Sequence, residues 1–584
     1  MAFGWKNSLL LLSLLGLMLI SNGLSGQEAG QYRYDDMLNV KSYDLLTFPQ
    51  FVVESSEQST PGYYLFDIPN YIGIIDHFGN PLFYMKTPIG SRNFESQPDG
   101  SYSYYDNSIK GFLVMNDYFQ ITDTITKVNN ESIDFHEFTI LENGNYILMS
   151  FDRRVIDMSL YVEGGNPSAT VTGMIFYELD PDKNPIFQWN SWDHFNVLES
   201  DTFFTDFTGM SIDYVHPNSI TIDYDGNFLL SSRHMSEVTK INRVNGEIIW
   251  RMGGSQNEFN FVNDTIGFSG QHSAICLPNG NIALFDNGNE HEPQYSRGLE
   301  YEINEVEKTA LLIRECRKSP ITFSSIMGSI ASMPGNHLLV GWGVKSEGGF
   351  ISEFDEEGQM ITNISILPEE AFTWLKSYKA SYLDQFQFFV VPEKDTIDFG
   401  YVETGDSAIL FVELINQGTD PATLFALSDE SEQFGLLDSL PINIEGGGAH
   451  QISLKFQPTA AGNYFTPVYL HFRLDSTIDD DHMVACRLML QGSSPETSST
   501  GEYQTGQGLN IFPNPFHELI SIENTEDVIS VVIWSMTGKK VFHMQNENQE
   551  HLILDQNHLN PGIYIIEFLH RDGTREFMKV IKSR

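Results

Sequence analysis

Apolar and polar residues alternate along short stretches of the chain between about residues 63 and 383, and Asn/Asp-Gly turns separate these stretches. Alternation with a period of two indicates strands with one buried face. The clearest stretches are HEFTILENGN, HPNSITIDYDGN, HSAICLPNGN and GSIASMPGN, which begin at His136, His216, His272 and Gly328. Their starting residues are 80, 56 and 56 positions apart. Each stretch predicts a hairpin, because a tight turn connects its two strands.

A second hairpin pattern alternates with the first. It reads IDHFGNPLFYM, LDPDKNPIFQW, INRVNGEIIWRM and FDEEGQMITNI, from residues 75, 179, 241 and 354, with weaker copies at 112–125 and 301–313. Pairing the two patterns gives about six four-stranded units, and no helical period of useful length interrupts them. We therefore predict an all-β fold whose residues 63–383 form an about six-bladed β-propeller.

The pattern changes after residue 383. Residues 386–493 contain short strands with turn signals at regular intervals, which predicts a β-sandwich. The residues DTIDFG, FQP and GNY in this region resemble the immunoglobulin-like modules related to sperm and ciliary proteins. No His/Asp/Glu/Cys cluster occurs in it, so we expect a spacer. Residues 494–508 are rich in Ser, Thr and Gly and form a polar linker.

The last part of the chain, residues 509–584, is predicted to be a small β-sandwich. It carries PNP at 513–515, GK at 538–539 and PGIY at 561–564. These motifs resemble the C-terminal sorting domain of the type IX secretion system of Bacteroidetes. The resemblance implies that this machinery is a partner, and that the chain crosses the outer membrane. Removal of the domain would then attach the protein to the cell surface or release it.

The first 26 residues are predicted to be a signal peptide, because Lys6 precedes an apolar run at 9–20 that is too short to cross a bilayer. An N-terminal segment, 27–62, follows. Together with the sorting domain, this predicts a secreted or cell-surface protein that passes through the periplasm without a transmembrane anchor. A net charge of −45 excludes nucleic-acid binding through phosphate contacts. Three cysteines exclude a disulfide framework, although a Cys276–Cys316 bridge stays open.

Three histidines occupy equivalent positions of the inner hairpin: His136, His216 and His272. Equivalent positions of successive blades face the same axis, so we expect these side chains to converge. Arg233 follows the DGN turn that begins at Asp225, and the returning strand brings it towards His216. Imidazoles and a guanidinium inside an acidic protein favour a small anion as ligand.

The order DFHE, HPNS…SSRH and GQHS on a propeller resembles the bacterial arylsulfate sulfotransferases, over residues 60 to 380. These enzymes move a sulfuryl group from a phenolic ester to a phenol without a nucleotide donor or other cofactor. The resemblance implies that His272 is the nucleophile that becomes sulfated. It implies that His136, His216 and Arg233 hold the sulfonate oxygens and serve the phenol oxygens. Asn218 would orient His216.

Aromatic residues are candidates for the wall of a phenol pocket, and core packing is the alternative for each of them. The best candidates are Trp342, between glycines, Trp374, at the end of the repeat, and Phe268, in the loop before His272.

Two other functions remain open from the sequence. Three axial histidines could hold Zn or Fe for lyase or oxygenase chemistry, although Arg233 in the same ring opposes a metal ion. The propeller could also be a non-catalytic surface binder. The loops at 223–227 and 286–289 loosely resemble calcium loops, but hairpin turns explain them better. We predict no metal in the site.

Overall fold

The computed structural model describes residues 50–582 except for several segments: 57–58, 89, 345–349, 368–376, 430–432, 475–481, 495–508, 513–515, 517–518, 536–539, 547–548, 557–558, 561 and 572–574. The predicted signal peptide lies outside the described residues, as does most of the N-terminal segment. The predicted linker lies outside them except for its first residue. The regular elements are mainly strands, which confirms the all-β prediction.

Six antiparallel sheets lie between residues 50 and 383 in the described part of the chain, and we call them blades 1 to 6. Blade 1 consists of Ala380–Leu383, Tyr63–Ile68, Tyr71–Asp76 and Pro81–Lys86. Blade 2 consists of Arg92–Ser96, Tyr102–Asp106, Gly111–Met115 and Ile121–Ile125. Blade 3 consists of Lys127–Val128, Glu131–Ile140, Tyr146–Ile156, Ala169–Leu179 and Pro185–Asn190, with Ser211–Asp213 parallel to its fourth strand.

The remaining blades follow in chain order. Blade 4 consists of Pro217–Ile222, Phe228–Ser232, Glu237–Ile241 and Ile248–Gly253. Blade 5 consists of His272–Cys276, Ile282–Asp286, Arg297–Asn304 and Thr309–Cys316, with Asn260–Val262 parallel to the last of them. Blade 6 consists of Ser329–Met333, His337–Gly341, Ile351–Phe354, Met360–Leu367 and the early strand Gln50–Ser55. Short 3-10 turns lie at Met158–Leu160, Ser191–Asp193, Val197–Glu199, Arg233–Met235 and Pro334–Asn336.

The blades form a closed ring. The innermost strands contact each other in order from blade 1 to blade 6, and the innermost strand of blade 6 contacts Ala380–Leu383 of blade 1. Blade 1 therefore combines an inner strand from the end of the repeat with three strands from its beginning. This arrangement confirms the predicted propeller. The weak hairpin patterns at 112–125 and 301–313 are hairpins of blades 2 and 5.

A hydrogen bond connects each blade to the next. A side-chain oxygen of one blade accepts it from a backbone N–H of the following blade. The acceptor side chains, in order around the ring, are those of Asp67, Gln97, Glu137, Ser219, Ser273 and Ser329. The donors, in the same order, are the N–H groups of Asn93, Ile140, Ile220, Ala274, Ile330 and Ala380. These bonds satisfy buried amides between sheets, where water cannot serve them.

A two-sheet sandwich follows the ring. One sheet consists of Thr396–Tyr401, His482–Ser494, Gly462–Leu474, Ala422–Asp429 and Ile442–Ile444, and the other of Val390–Pro392, Ala408–Asn416, Ala449–Phe456 and Phe434–Leu436. The strand His482–Ser494 also pairs with Pro81–Lys86, the outer edge of blade 1. Phe83 of blade 1 belongs to the same buried cluster as Val484 and Leu454 of the sandwich. The propeller and the sandwich therefore share a sheet and a hydrophobic core.

The C-terminal part forms two further sheets around its own core. One contains Asn510–Phe512, Leu519–Glu523 and His551–Asp555, and the other Lys540–Gln545, Val528–Ser535, Gly562–His570 and Arg575–Lys582. Buried residues of both sheets, among them Ile522 and Ile566, make one cluster. All three cysteines, Cys276, Cys316 and Cys486, are thiols in the structure, so the bridge left open by the sequence is not formed.

Candidate active site

The predicted histidines lie close together in the structure. The ring centroids of His136 and His216 are 5.2 Å apart. The ring of His234, which the sequence did not single out, stacks on that of His216 with centroids 4.4 Å apart. The charges of His216, His136 and Arg233 all act on His272. The convergence predicted from the repeat is therefore observed, and four imidazoles share the site.

His272 is held by Asn287 in a defined tautomer. The amide nitrogen of Asn287 donates to the carbonyl oxygens of Ser324 and Met327, at 2.8 and 2.9 Å. The amide oxygen must then face His272, whose Nδ1 lies 2.7 Å away. An oxygen can only accept this bond, so Nδ1 carries the proton and Nε2 keeps a free electron pair. His272 is therefore prepared to act as a nucleophile through Nε2.

Burial keeps His272 uncharged. Burial lowers the pKa of His272 well below its usual value of 6.5, and the positive charge of Arg233 lowers it further. The hydrogen bond that His272 donates to Asn287 opposes this shift but does not cancel it. The partner is a neutral amide, which does not stabilise an imidazolium as a carboxylate does. The free electron pair is thus available at neutral pH.

His216 has a carboxylate as its partner. Its Nδ1 lies 2.7 Å from Oδ2 of Asp213, and its backbone N–H donates to the other oxygen at 3.1 Å. Burial alone would raise the pKa of Asp213, but the hydrogen bond and the charge of His216 outweigh it and the pKa is lowered. The φ of His216 is 45°, in the left-handed region that is unfavourable for most side chains. A His–Asp pair of this kind can exchange a proton through Nε2.

His136 forms a second histidine–carboxylate pair. Its Nδ1 hydrogen-bonds to Asp134, and the backbone N–H of His136 donates to the same oxygen. Burial lowers the pKa of His136, whereas Asp134 opposes that shift. The ring of Tyr378 lies 5.6 Å from that of His136, and its hydroxyl donates to the carbonyl of Asn218 at 3.0 Å. Tyr378 therefore connects two of the strands that carry the site.

Arg233 lies beside these histidines, as its place in the hairpin predicts. Its backbone N–H donates to the carbonyl of His216 at 3.0 Å. Burial lowers the pKa of Arg233 to about 10, against the opposing charge of Asp213, so the guanidinium stays charged at neutral pH. Its Nη2 donates to the carbonyl of Ser325 at 3.1 Å. Its Nε is buried and has no partner among the described residues, which leaves a charged donor for a ligand.

Asn218 lies in the site but contacts a different group from the one expected. Its amide nitrogen donates to the carbonyl of Gln271 at 2.7 Å. It therefore supports the peptide that precedes His272, while Asp213 holds His216. Its amide oxygen is buried without a partner in the described part of the chain.

The fourth copy of the repeat has a glycine for a steric reason. A Cβ atom at Gly328 would lie 2.3 Å from the ring of Phe285, and the φ of Gly328 is 105°. Phe285 pairs with His272 across the first two strands of blade 5. Its ring therefore occupies the space that a fourth histidine would need.

The aromatic residues predicted for a phenol pocket lie elsewhere. Trp342 is fully buried, packs against Phe285 and Phe354, and donates its indole N–H to Ser352. Phe268 packs against Phe261 and Tyr301 in the hydrophobic cluster of blades 4 and 5.

Both residues thus belong to blade cores instead of a pocket wall, and Trp374 lies outside the described residues. Besides Tyr378, the aromatic residue Phe204 reaches the site. The guanidinium carbon of Arg233 lies 4.5 Å from its ring centroid.

Two groups of described residues have ligand atoms close enough to hold a metal ion: Asp213, His216 and His234, and Asp223, Asp225 and Glu305. In the first group, Asp213 already pairs with Nδ1 of His216. The second surrounds the ammonium of Lys240, which lies 2.5 to 2.7 Å from all three carboxylates. A lysine therefore occupies the loop at 223–227 that resembles a calcium site. The predicted set of three axial histidines is not one of these groups.

Family comparison agrees with this geometry. Residues 113–366 match the arylsulfotransferase (ASST) family. The matched region covers less than half of the chain. It contains all three predicted histidines and Arg233, and also Asp134, Asp213 and Asn287. Residues 510–583 match the secretion system C-terminal sorting domain, which indicates secretion or a cell-surface location.

Other comparisons add weaker likenesses. No curated protein matches the chain. A protein of unknown function from Bacteroides caccae is 12% identical and covers 56% of this chain and 100% of its own, with a TM-score of 0.35. The virginiamycin B lyase of Staphylococcus aureus is 11% identical, over 54% of this chain and 99% of its own, with a TM-score of 0.27. An ASH/PapD-like domain of human CEP192 is 21% identical, over 18% and 86%, with a TM-score of 0.16.

Within the described residues, the structure has no helix of the length and apolar character that a membrane span needs.

Substitutions of Asn287 test its contact with His272. Asn287→Leu leaves the buried Nδ1–H of His272 without an acceptor, which costs about 1–3 kcal/mol. We expect kcat to fall by roughly 10–100-fold, since 1.4 kcal/mol corresponds to tenfold. Asn287→Asp keeps an acceptor and adds a charge that favours the imidazolium. This variant should retain more activity than Asn287→Leu, with the acid limb of its kcat/KM–pH profile at higher pH. Equal losses without a pH shift would contradict the tautomer role.

Proposed function

We propose that the protein transfers a sulfuryl group from a phenolic sulfate ester to a phenol through a sulfated His272. The observation that carries the proposal is the contact between Asn287 and His272, which leaves the Nε2 electron pair free in a buried, cationic site. A neutral imidazole is a competent nucleophile, and a covalent intermediate divides the transfer into two easier steps.

The transfer takes place in two steps. Nε2 of His272 attacks the sulfur atom, the N–S bond forms, and the bond between sulfur and the phenolic oxygen breaks. The phenolate leaves with that electron pair and takes up a proton. The hydroxyl oxygen of an acceptor phenol then attacks the same sulfur and gives up its proton. The N–S bond breaks, and its electron pair returns to Nε2.

The other residues have separate tasks in this scheme. Sulfuryl transfer resembles phosphoryl transfer in that positioning and charge stabilisation supply most of the catalysis. Arg233 has a free, charged donor for the sulfonate oxygens. His216 and His136 each pair with a carboxylate through Nδ1. They are therefore suited to protonate the leaving phenolate and to accept the proton of the incoming phenol.

A transfer assay on the full chain tests the proposal. A chromogenic aryl sulfate serves as donor and a simple phenol as acceptor, without nucleotide and in the presence of a chelator. We expect phenol release that depends on the acceptor, together with formation of the new aryl sulfate and ping-pong kinetics.

Release into water at the same rate with and without acceptor would instead indicate a sulfohydrolase. Turnover that requires an added metal ion would favour the metal-dependent alternative. Binding of sulfate esters without turnover would favour a binding propeller.

A further inference from the structure

An open groove of about 500 Å³ has one lining residue, Phe204, that also contacts Arg233 of the proposed catalytic centre. Its lining consists of Val162 and residues 202–208. Residues 202–208 belong to the segment that connects blade 3 to blade 4, and Asp213 and His216 follow at the end of the same segment. We call this space the aryl groove, for the reasons below.

Phe204 is common to the groove and the catalytic centre. One contact of its ring is Arg233, and another is His234, whose ring is parallel within 4° at a centroid distance of 5.6 Å. A Cβ atom at Gly270 would lie 2.6 Å from Cζ of Phe204. Gly270 precedes the nucleophile His272 by two residues. Phe204 therefore links the groove to Arg233 and to the peptide that precedes His272.

The groove wall is aromatic and partly exposed. Phe203 is 53% exposed and packs edge-to-face against Phe204, with centroids 4.9 Å apart. Exposure of phenyl rings to water is unfavourable in free energy. An aromatic ligand that binds to them buries apolar area and makes ring contacts. The backbone N–H of Phe203 donates to Asp201 at 2.9 Å, so the turn that presents these rings is ordered by its own hydrogen bonds.

The groove is also negatively charged. Asp206 lines it, and hydrogen bonds from Thr208 lower the pKa of Asp206, which keeps it ionised. The whole chain carries a net charge of −45. A negative wall disfavours an anionic ligand over an uncharged or cationic one.

We propose that the aryl groove binds the aromatic ring of the sulfate ester and selects rings with uncharged or cationic substituents over rings with a second negative charge. This inference rests on the proposed function. Arg233 holds the sulfonate, and Phe203 and Phe204 contact the ring. The carboxylate of Asp206 disfavours rings that carry a second negative charge. The preferred donors are therefore aryl sulfates whose only anionic group is the sulfate.

Three esters test the selectivity. They are phenyl sulfates with a carboxylate, an amide or an ammonium group on the same two-carbon spacer, so that the acidity of the leaving phenol stays constant. We expect kcat/KM for the carboxylate to be roughly three- to tenfold below that for the amide, and the ammonium ester to equal or exceed the amide. Added salt should narrow the differences, because it screens exposed charges.

Matched variants test the residues. Phe204→Leu keeps an apolar side chain but removes the ring, and it should lower kcat/KM for all three esters by about three- to tenfold. Phe411→Leu, at a 63% exposed phenylalanine of the sandwich, is the control and should leave kcat/KM unchanged. Asp206→Asn should reduce the difference in kcat/KM between the carboxylate ester and the amide ester. Asp182→Asn, on an exposed turn of blade 3, should leave that difference unchanged.

Equal kcat/KM for the three esters, with Phe204→Leu at the wild-type value, would overturn the inference while the proposed function stands. If no ester is turned over, calorimetric binding of the same esters to the wild-type chain decides. Binding that weakens in Phe204→Leu would support the aryl groove as the binding site of the ring and would contradict the proposed transferase activity. Absence of binding rejects both.

Discussion

Replacement of His272 by alanine is expected to abolish sulfuryl transfer. The alanine has no electron pair to attack sulfur. Among the other imidazoles of the site, His234 pairs through Nδ1 with the backbone carbonyl of Asp213, whereas His136 and His216 pair with carboxylates. These partners favour proton exchange over nucleophilic attack. We therefore expect acceptor-dependent phenol release to fall to the rate without enzyme, and the measurement is the chromogenic transfer assay.

The covalent intermediate gives an independent readout. Wild-type protein incubated with donor and no acceptor should gain the mass of one sulfuryl group on the peptide that contains His272. The His272→Ala variant should gain none. His450→Ala, in the sandwich, is the control and should behave as wild type. Near-normal turnover of the His272→Ala variant would contradict the assignment of His272 as the nucleophile.

Arg233→Ala is expected to give the second largest loss. Arg233 supplies a buried, charged donor beside the nucleophile, and loss of one positioned donor to developing charge costs about 10²–10³ in rate. We expect kcat/KM to fall by that factor and a trace of transfer to remain. Arg233→Lys keeps the charge but loses the planar fork, so its activity should lie between those of Arg233→Ala and wild type.

The pH profile distinguishes this role from a structural one. Burial and the charge of Arg233 both lower the pKa of His272, so the wild-type acid limb should lie below the usual histidine value of 6.5. Without the guanidinium, the pKa of His272 rises and protonation removes the nucleophile at higher pH. The acid limb of Arg233→Ala should therefore move to higher pH. A limb at the wild-type position would show that Arg233 does not act on His272.

The repeat made the fold and the convergence of the histidines predictable. Hairpins with Asn/Asp-Gly turns identify blades by local chemistry alone, and a closed ring brings equivalent residues to one axis. His136, His216 and His272 were found in this way, and Arg233 followed from its place after a turn. The symmetry of the repeat was sufficient to predict that these residues lie close together, without knowledge of individual contacts.

The partners of the histidines were not predictable in the same way. Asp134 and Asp213 lie two and three residues before their histidines, so a closer inspection of sequence neighbours could have found them. Asn287 lies 15 residues after His272, in a DNGN stretch that has the signature of a turn. Its role depends on two carbonyl groups from the segment before blade 6, which only the folded chain brings together.

The aromatic residues show a different limit. Trp342 was favoured because glycines flank it, yet its indole is buried in the core between blades 5 and 6. Phe204 belongs to a connection between blades, outside the repeat, and no periodicity points to it. Residues on irregular connections adapt the site to its ligand, and the pattern of the repeat carries no information about them.

The strand shared between blade 1 and the sandwich has a consequence for the protein after export. If the tail is removed in the segment 495–508, the remaining body ends with the strand His482–Ser494, which covers the edge strand Pro81–Lys86 of blade 1. A shorter product that ended after the propeller would expose that edge and Phe83 to other chains, and open edges of this kind promote aggregation. We therefore expect the propeller and the sandwich to remain one unit after export, in which the sandwich protects this edge strand from self-association.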